Sequence, residues 1–165
     1  MVSKIVLSAL LMSLSFASNL FATDVSITTT VIKVVPAAGQ TEAPAWASGT
    51  TYAQGTYTKR GGQVYMCLVA PGVASTNAPS GGITVTTAEG YTWRRCLSRA
   101  RSGLVLSNAG SINLRFAHES SEVSSSTGAP LNASGGAMTY PSPIYQGEIF
   151  AAAESGTNTL SFIEW

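Results

Sequence analysis

Histidine is nearly absent from this chain, and the lack decides much about its chemistry. His118 is the only one in 165 residues. The stretch His118-Glu119-Ser120-Ser121-Glu122 lacks the second histidine that a helical zinc-protease site needs four residues on, so no such centre can be built. Charge is scarce as well, at 10% of residues, with 9 bases against 8 acids. Loss of residues 1–22 would remove one base, Lys4, and bring the two counts to parity. A neutral surface offers no electrostatic grip on nucleic acid or an anionic membrane. Long apolar runs are missing beyond the N-terminus, which excludes a further membrane-spanning helix. Cofactor motifs are missing too, and we expect no cofactor and no metal site.

Cysteine is limited to Cys67 and Cys96. In an exported chain an even count favours pairing, and closing a loop of about 30 residues would stabilise the fold by about 3–4 kcal/mol. Two buried free thiols are the alternative for a chain that matures in a reducing compartment. Neither thiol has a histidine nearby in sequence to activate it. Glu119, Glu122, Glu148 and Glu154 are scattered on strand edges, where carboxylates are ordinarily solvated. Arg94, Arg95, Arg99 and Arg101 form the one charge cluster, read as a solvated face or a salt-bridge partner for another subunit in preference to a site for phosphate or acidic sugar. The expectation is a protein that is not an enzyme.

What is present is glycine, 16 residues of it, with serine, threonine and β-branched residues between, an all-β and turn-rich profile. Lys4, the apolar run Ile5–Leu14 and the small-residue triplets Ser15-Phe16-Ala17 or Leu20-Phe21-Ala22 have the order of a secretory signal. A retained anchor over residues 4–22 is the alternative, and membrane contact is expected only there. Residues 23–43 read as a long β-branched strand, Val25–Val35, stopped by Pro36 and followed by a linker. Residues 44–97 carry a hairpin with arms near Gly55–Lys59 and Gln63–Val69, joined at Arg60-Gly61-Gly62. Residues 71–90 are polar and read as a mobile exposed loop with one short strand at most, Ile83–Thr86. In residues 98–165 short strands recur, at Leu104–Leu106, Ile112–Phe116, Gly135–Tyr140, Gly147–Ala153 and Thr157–Trp165, the pattern of a small antiparallel β-sandwich or jelly-roll-like module.

Two resemblances sharpen this reading. Trp46, Tyr52, Gly55, Gly62, Tyr65 and Trp93 match the order and approximate spacing of the small carbohydrate-binding modules of chitinases and cellulases. The resemblance covers residues 44–97 and implies a short three-stranded sheet that stacks pyranose rings on exposed aromatics. The chain departs from that family at Leu68-Val69-Ala70-Pro71, where further platform aromatics are usual. Tyr52 and Tyr57 are the leading sugar-contact candidates, on one side of the sheet, and Trp46 is a third. Trp46, Tyr65 and Trp93 read as core in preference to ligand contacts, because so small a module has little else to bury.

Residues 99–165 resemble small β-sandwich proteins of tailed-phage virions. The resemblance runs through Leu104-Val105-Leu106-Ser107-Asn108, Ile112-Asn113-Leu114-Arg115-Phe116, Gly128-Ala129-Pro130-Leu131, Gly135-Gly136, Tyr145–Ala151 and Gly156–Leu160. It implies an accessory head or fibre component without catalytic activity. Expected partners are other virion or surface subunits, including copies of the chain itself, with polysaccharide as a further ligand class. The expected location is a virion surface, or, on the carbohydrate-module reading, secreted or at a cell surface. The long Val25–Val35 strand and the terminal Phe162-Ile163-Glu164-Trp165 are expected to be ordered and packed, partly against a neighbouring subunit.

Overall fold

The computed structural model describes residues 21–165, so the signal-like or anchoring segment lies outside the described residues except for Phe21 and Ala22. The chain is all-β. Its strands in order are β1 (Phe21–Thr28), β2 (Ile32–Val35), β3 (Tyr57–Arg60), β4 (Gln63–Val69), β5 (Thr84–Thr86), β6 (Thr92–Arg95), β7 (Leu104–Asn108), β8 (Leu114–Ala117), β9 (Ala129–Leu131), β10 (Ala137–Thr139), β11 (Ile149–Ala153) and β12 (Thr157–Glu164). One 3-10 turn, Ser120–Glu122, interrupts them. Among the described residues no helix is long and apolar enough to cross a membrane.

Three antiparallel four-stranded sheets result. Sheet A runs β1-β12-β7-β10, sheet B runs β2-β11-β8-β9, and sheet C runs β3-β4-β6-β5. Sheet C therefore has one strand more than the three expected. Alternation sets the inner faces of A and B: in β12, Asn158, Leu160, Phe162 and Glu164 point inward, while the residues between them are more exposed. Val25 and Ile27, Leu104 and Leu106 from sheet A meet Val34, Leu114, Phe116 and Ile149 from sheet B. Val64, Met66, Leu68 and Cys96 of the sheet C segment join the same apolar cluster, so one continuous core underlies all three sheets.

The Val25–Val35 segment is two strands in two sheets rather than one long strand. The Thr30 backbone N–H donates to Thr28 Oγ1 at 3.2 Å, so a threonine side chain turns the chain where a ladder would otherwise continue. β1 then pairs with β12, and β2 with β11. The linker after Pro36 is also fastened, through Ala38 N–H to Gln146 O, Gly39 N–H to Arg99 O and Gln40 N–H to Leu97 O.

The 71–90 segment is tied down rather than free. Glu89 Oε1 accepts from the Thr76 and Asn77 backbone N–H groups, both at 2.8 Å, and from the Asn77 side chain at 2.7 Å. The Thr76 hydroxyl also donates to it, and chiefly for that reason the Glu89 carboxyl titrates well below the usual carboxylate range. The Gly49 N–H donates to Ser75 O and the Ser75 N–H to Thr50 O, so this loop lies against residues 49–50.

Candidate functional site

Strand parity decides what the predicted site residues do. In β4, Val64, Met66 and Leu68 face the common core, whereas Tyr65 and Cys67 face the other way and cluster with Tyr91 and Trp93. Cys96 lies with the first group. The two cysteines are thus buried on opposite faces of sheet C and are free thiols, which corrects the expected disulfide. Burial pushes both thiols up to about 12, so the nucleophilic thiolate is suppressed at neutral pH.

The same parity separates the tyrosines. Tyr57 stands opposite Met66 in the ladder and packs on the common core. Its hydroxyl donates to Glu148 Oε1 at 2.6 Å and accepts from the Ala37 N–H at 3.3 Å. Burial first, and then the Glu148 carboxylate, hold its phenol well above the usual tyrosine range. Tyr52 packs instead on the Tyr91 and Trp93 face, with edge-on ring contacts at 6.3 and 5.2 Å between centroids. Its hydroxyl accepts from the Ala47 N–H at 2.7 Å. The expected shared presentation of Tyr52 and Tyr57 on one side of the sheet is therefore not what the chain builds.

Trp46 is half-buried, with the Arg60 guanidinium carbon 5.5 Å from its ring centroid. Tyr65 and Trp93 are buried, and Tyr91, also buried, stacks on Trp93 with 5.5 Å between centroids. At the departure from the carbohydrate-module pattern, Val69 is 44% exposed and offers an aliphatic surface in place of a ring.

The arginine cluster is not a solvated face at two of its four positions. Arg94 and Arg101 are fully buried as side chains, and both meet Glu164, each at 2.8 Å. Arg101 also donates to Pro36 O at 2.7 Å and Tyr145 O at 2.6 Å. Burial lowers the Arg94 guanidinium to about 10, which leaves it charged at neutral pH. A second polar link joins the sheets at Lys33, whose ammonium reaches Glu148 Oε1 at 2.7 Å and Gly55 O at 3.2 Å. His118 stacks on Tyr145 with 3.8 Å between centroids, beside neither thiol. Among the described residues no group of three or more histidine, cysteine, aspartate or glutamate side chains could hold a metal.

The remaining surface of note is the outer face of sheet A. Asp24, Ser26 and Thr28 of β1 stand beside Ser161, Thr159 and Thr157 of β12, followed by Ser107 of β7 and Ala137 of β10. Ile163 and Val105 lie paired on the same face. The single charge among these residues, Asp24, accepts a hydrogen bond from Ser161 Oγ at 2.5 Å. β1 is an edge strand, hydrogen-bonded to β12 on one side only, with Thr23 Oγ1 3.1 Å from Thr84 Oγ1 of sheet C near its start. Comparison with protein-family models, with curated proteins and with solved structures finds no match.

Proposed function

We propose that this chain is a non-catalytic structural subunit of a virion surface, a capsid decoration or fibre-like component that works through contacts with neighbouring copies. The observation that carries the reading is the β1 edge together with the outer face of sheet A. An edge strand with unpaired backbone groups is a template for another strand, and natural monomers blunt such edges with charge or proline. Here the face beside it is built of Ser, Thr and Ala, with Ile163 36% exposed and Asp24 its one charge. A second copy brought up antiparallel would extend sheet A across a two-fold axis, and the contact is self-complementary because small side chains meet small side chains. The resemblance of residues 99–165 to tailed-phage sandwich proteins supplies the virion context.

The alternative, a secreted carbohydrate-binding or adhesion protein that stacks sugars on Tyr52, Tyr57 and Trp46, draws less support. Tyr57 is turned into the common core, and Tyr52 has two neighbouring rings against it.

Sedimentation of the full chain at micromolar concentration tests the reading. The wild-type protein is expected to sediment as a dimer or larger species. Ser26→Lys combined with Thr28→Lys places two cations along the exposed edge and should return a folded monomer with unchanged circular dichroism. A wild-type chain that remains monomeric, and is missing from purified particles, overturns the proposal.

A further inference from the structure

Where the residues leading into β3 meet β2 and β11, the fold leaves an open pocket of about 320 Å³. This is the lower end of the range for small-molecule sites, about 300–1,000 Å³, and suits one ring better than a chain. None of the predicted sugar-contact residues lines it. It is lined by the apolar Val31 and the half-exposed Phe150, by Gly55, and by the polar residues Lys33, Gln54, Thr56 and Ser120.

Three of these residues are held in place before any ligand arrives, Lys33, Gln54 and Thr56, whose hydroxyl donates to Ala53 O at 2.7 Å. Lys33 is fixed by Glu148 at 2.7 Å and Gly55 O at 3.2 Å, with its nitrogen 4.8 Å from the Tyr57 centroid and 5.9 Å from that of Phe150. Gln54 spends Nε2 on Lys33 O at 2.6 Å, which orients the amide and leaves its carbonyl oxygen as an acceptor. Gly55 has φ +81°, so a larger residue there would strain the backbone beside Lys33. Little ordering cost is left for binding.

Charge narrows the ligand class. Glu148 neutralises Lys33, so the pocket has no net charge with which to prefer phosphate or a carboxylate. One aromatic face beside several hydrogen-bonding groups matches a molecule with one apolar face and a rim of hydroxyls. We propose that this pocket binds a single neutral pyranose unit of a glycan, a site distinct from the aromatic face of sheet C. The inference does not depend on self-association. In an assembly that repeats the subunit, weak single-site binding becomes useful through effective concentration.

The test is amide-resolved NMR of the full chain titrated separately with methyl glycosides of glucose, galactose, mannose and N-acetylglucosamine, with inorganic phosphate as the anionic probe. At least one glycoside is expected to give saturable shifts at Lys33, Gly55 and Phe150, and Gln54→Ala should weaken it by about tenfold. Ser120→Trp, which fills the pocket from an exposed rim position without touching the core, should abolish the shifts while stability is retained. No glycoside response, a glycoside response that survives Ser120→Trp, or a response to phosphate alone would each overturn the proposal.

Discussion

Cys67 stands opposite Trp93 in the ladder and Cys96 falls beside Val64, three positions along, and chain parity sends their sulfurs into different clusters. Their chemistry follows chiefly from burial. Ionisation is easier in the unfolded chain, where a thiol titrates near its ordinary value, 9.0, than in the folded chain, where both are pushed up to about 12. Stability is therefore fully present below about pH 9 and is lost as pH rises towards 12, by up to about 1.4 kcal/mol per pH unit for each thiol. Tyr57, also raised, adds to the loss above its ordinary 10.0. Denaturant titrations between pH 8 and 11 should show this decline, and Cys67→Ala with Cys96→Ala should flatten most of it. Native protein should also carry two free thiols that react with a thiol reagent only on unfolding, and a mass lower by two hydrogens would contradict the geometry. The sequence held a usable signal here: Val64, Met66 and Leu68 alternate with Tyr65 and Cys67, which already puts Cys67 on the aromatic side. Cysteine parity pointed the other way because it is a count and has no direction.

At the scale of elements, regular alternation was legible and departures from it were not. Leu114 and Phe116, and the inward set of β12, fall where a period of two places them. The break between β1 and β2 was hidden because Thr28-Thr29-Thr30 has the β-branched composition of a strand, and only a side-chain hydrogen bond turns it. The Asn108–Asn158 link was hidden for a similar reason, since both residues read as turn or strand-end polar groups. In the fold both are buried. Asn158 Nδ2 donates to Asn108 Oδ1 at 2.9 Å, and Asn108 Nδ2 donates to Ile112 O at 2.8 Å and Leu131 O at 2.9 Å. Gly110 is packed against this link, and a Cβ there would lie 1.3 Å from Asn158 Oδ1. Gly110→Ala must displace the asparagine and strand buried polar groups, at a cost of about 3 kcal/mol or more. Ser111→Ala, at the exposed neighbouring position, should stay within about 0.5 kcal/mol of wild type. Urea midpoints of the two variants decide it, and equal midpoints would remove the packing argument.

For the molecule as a whole, two compositional texts became one body because the same apolar cluster includes residues of sheets A, B and C. Sequence texture divides near Arg99, where aromatic-rich turns give way to short even strands, and texture says nothing about what crosses the division. What crosses it is charge as well as apolar surface: Arg94 in β6 and Arg101 in the following connection both reach Glu164 at the end of β12. The arginines read as a solvated face because an isolated Arg is exposed by default, and Glu164, between Ile163 and Trp165, was read only as part of a packed terminus. Fully buried charges are costly to desolvate, so the triad need not add net stability, but removing its one anion leaves two buried guanidinium groups without the carboxylate both of them contact. Glu164→Gln should therefore cost about 3–5 kcal/mol, more than a surface ion pair such as Lys59–Glu42, whose loss should be nearly silent. Replacing all three members together, with Arg94→Met, Glu164→Leu and Arg101→Met, should recover much of that loss because no uncompensated charge remains. Thermal or denaturant unfolding of the three proteins gives the comparison. If Glu164→Gln is no more damaging than Glu42→Gln, the carboxylate does not join sheet A to sheet C through these arginines. If the triple variant is worse than Glu164→Gln alone, the triad is itself a net source of stability, and its hydrogen bonds to Pro36 O and Tyr145 O from Arg101 become the reason.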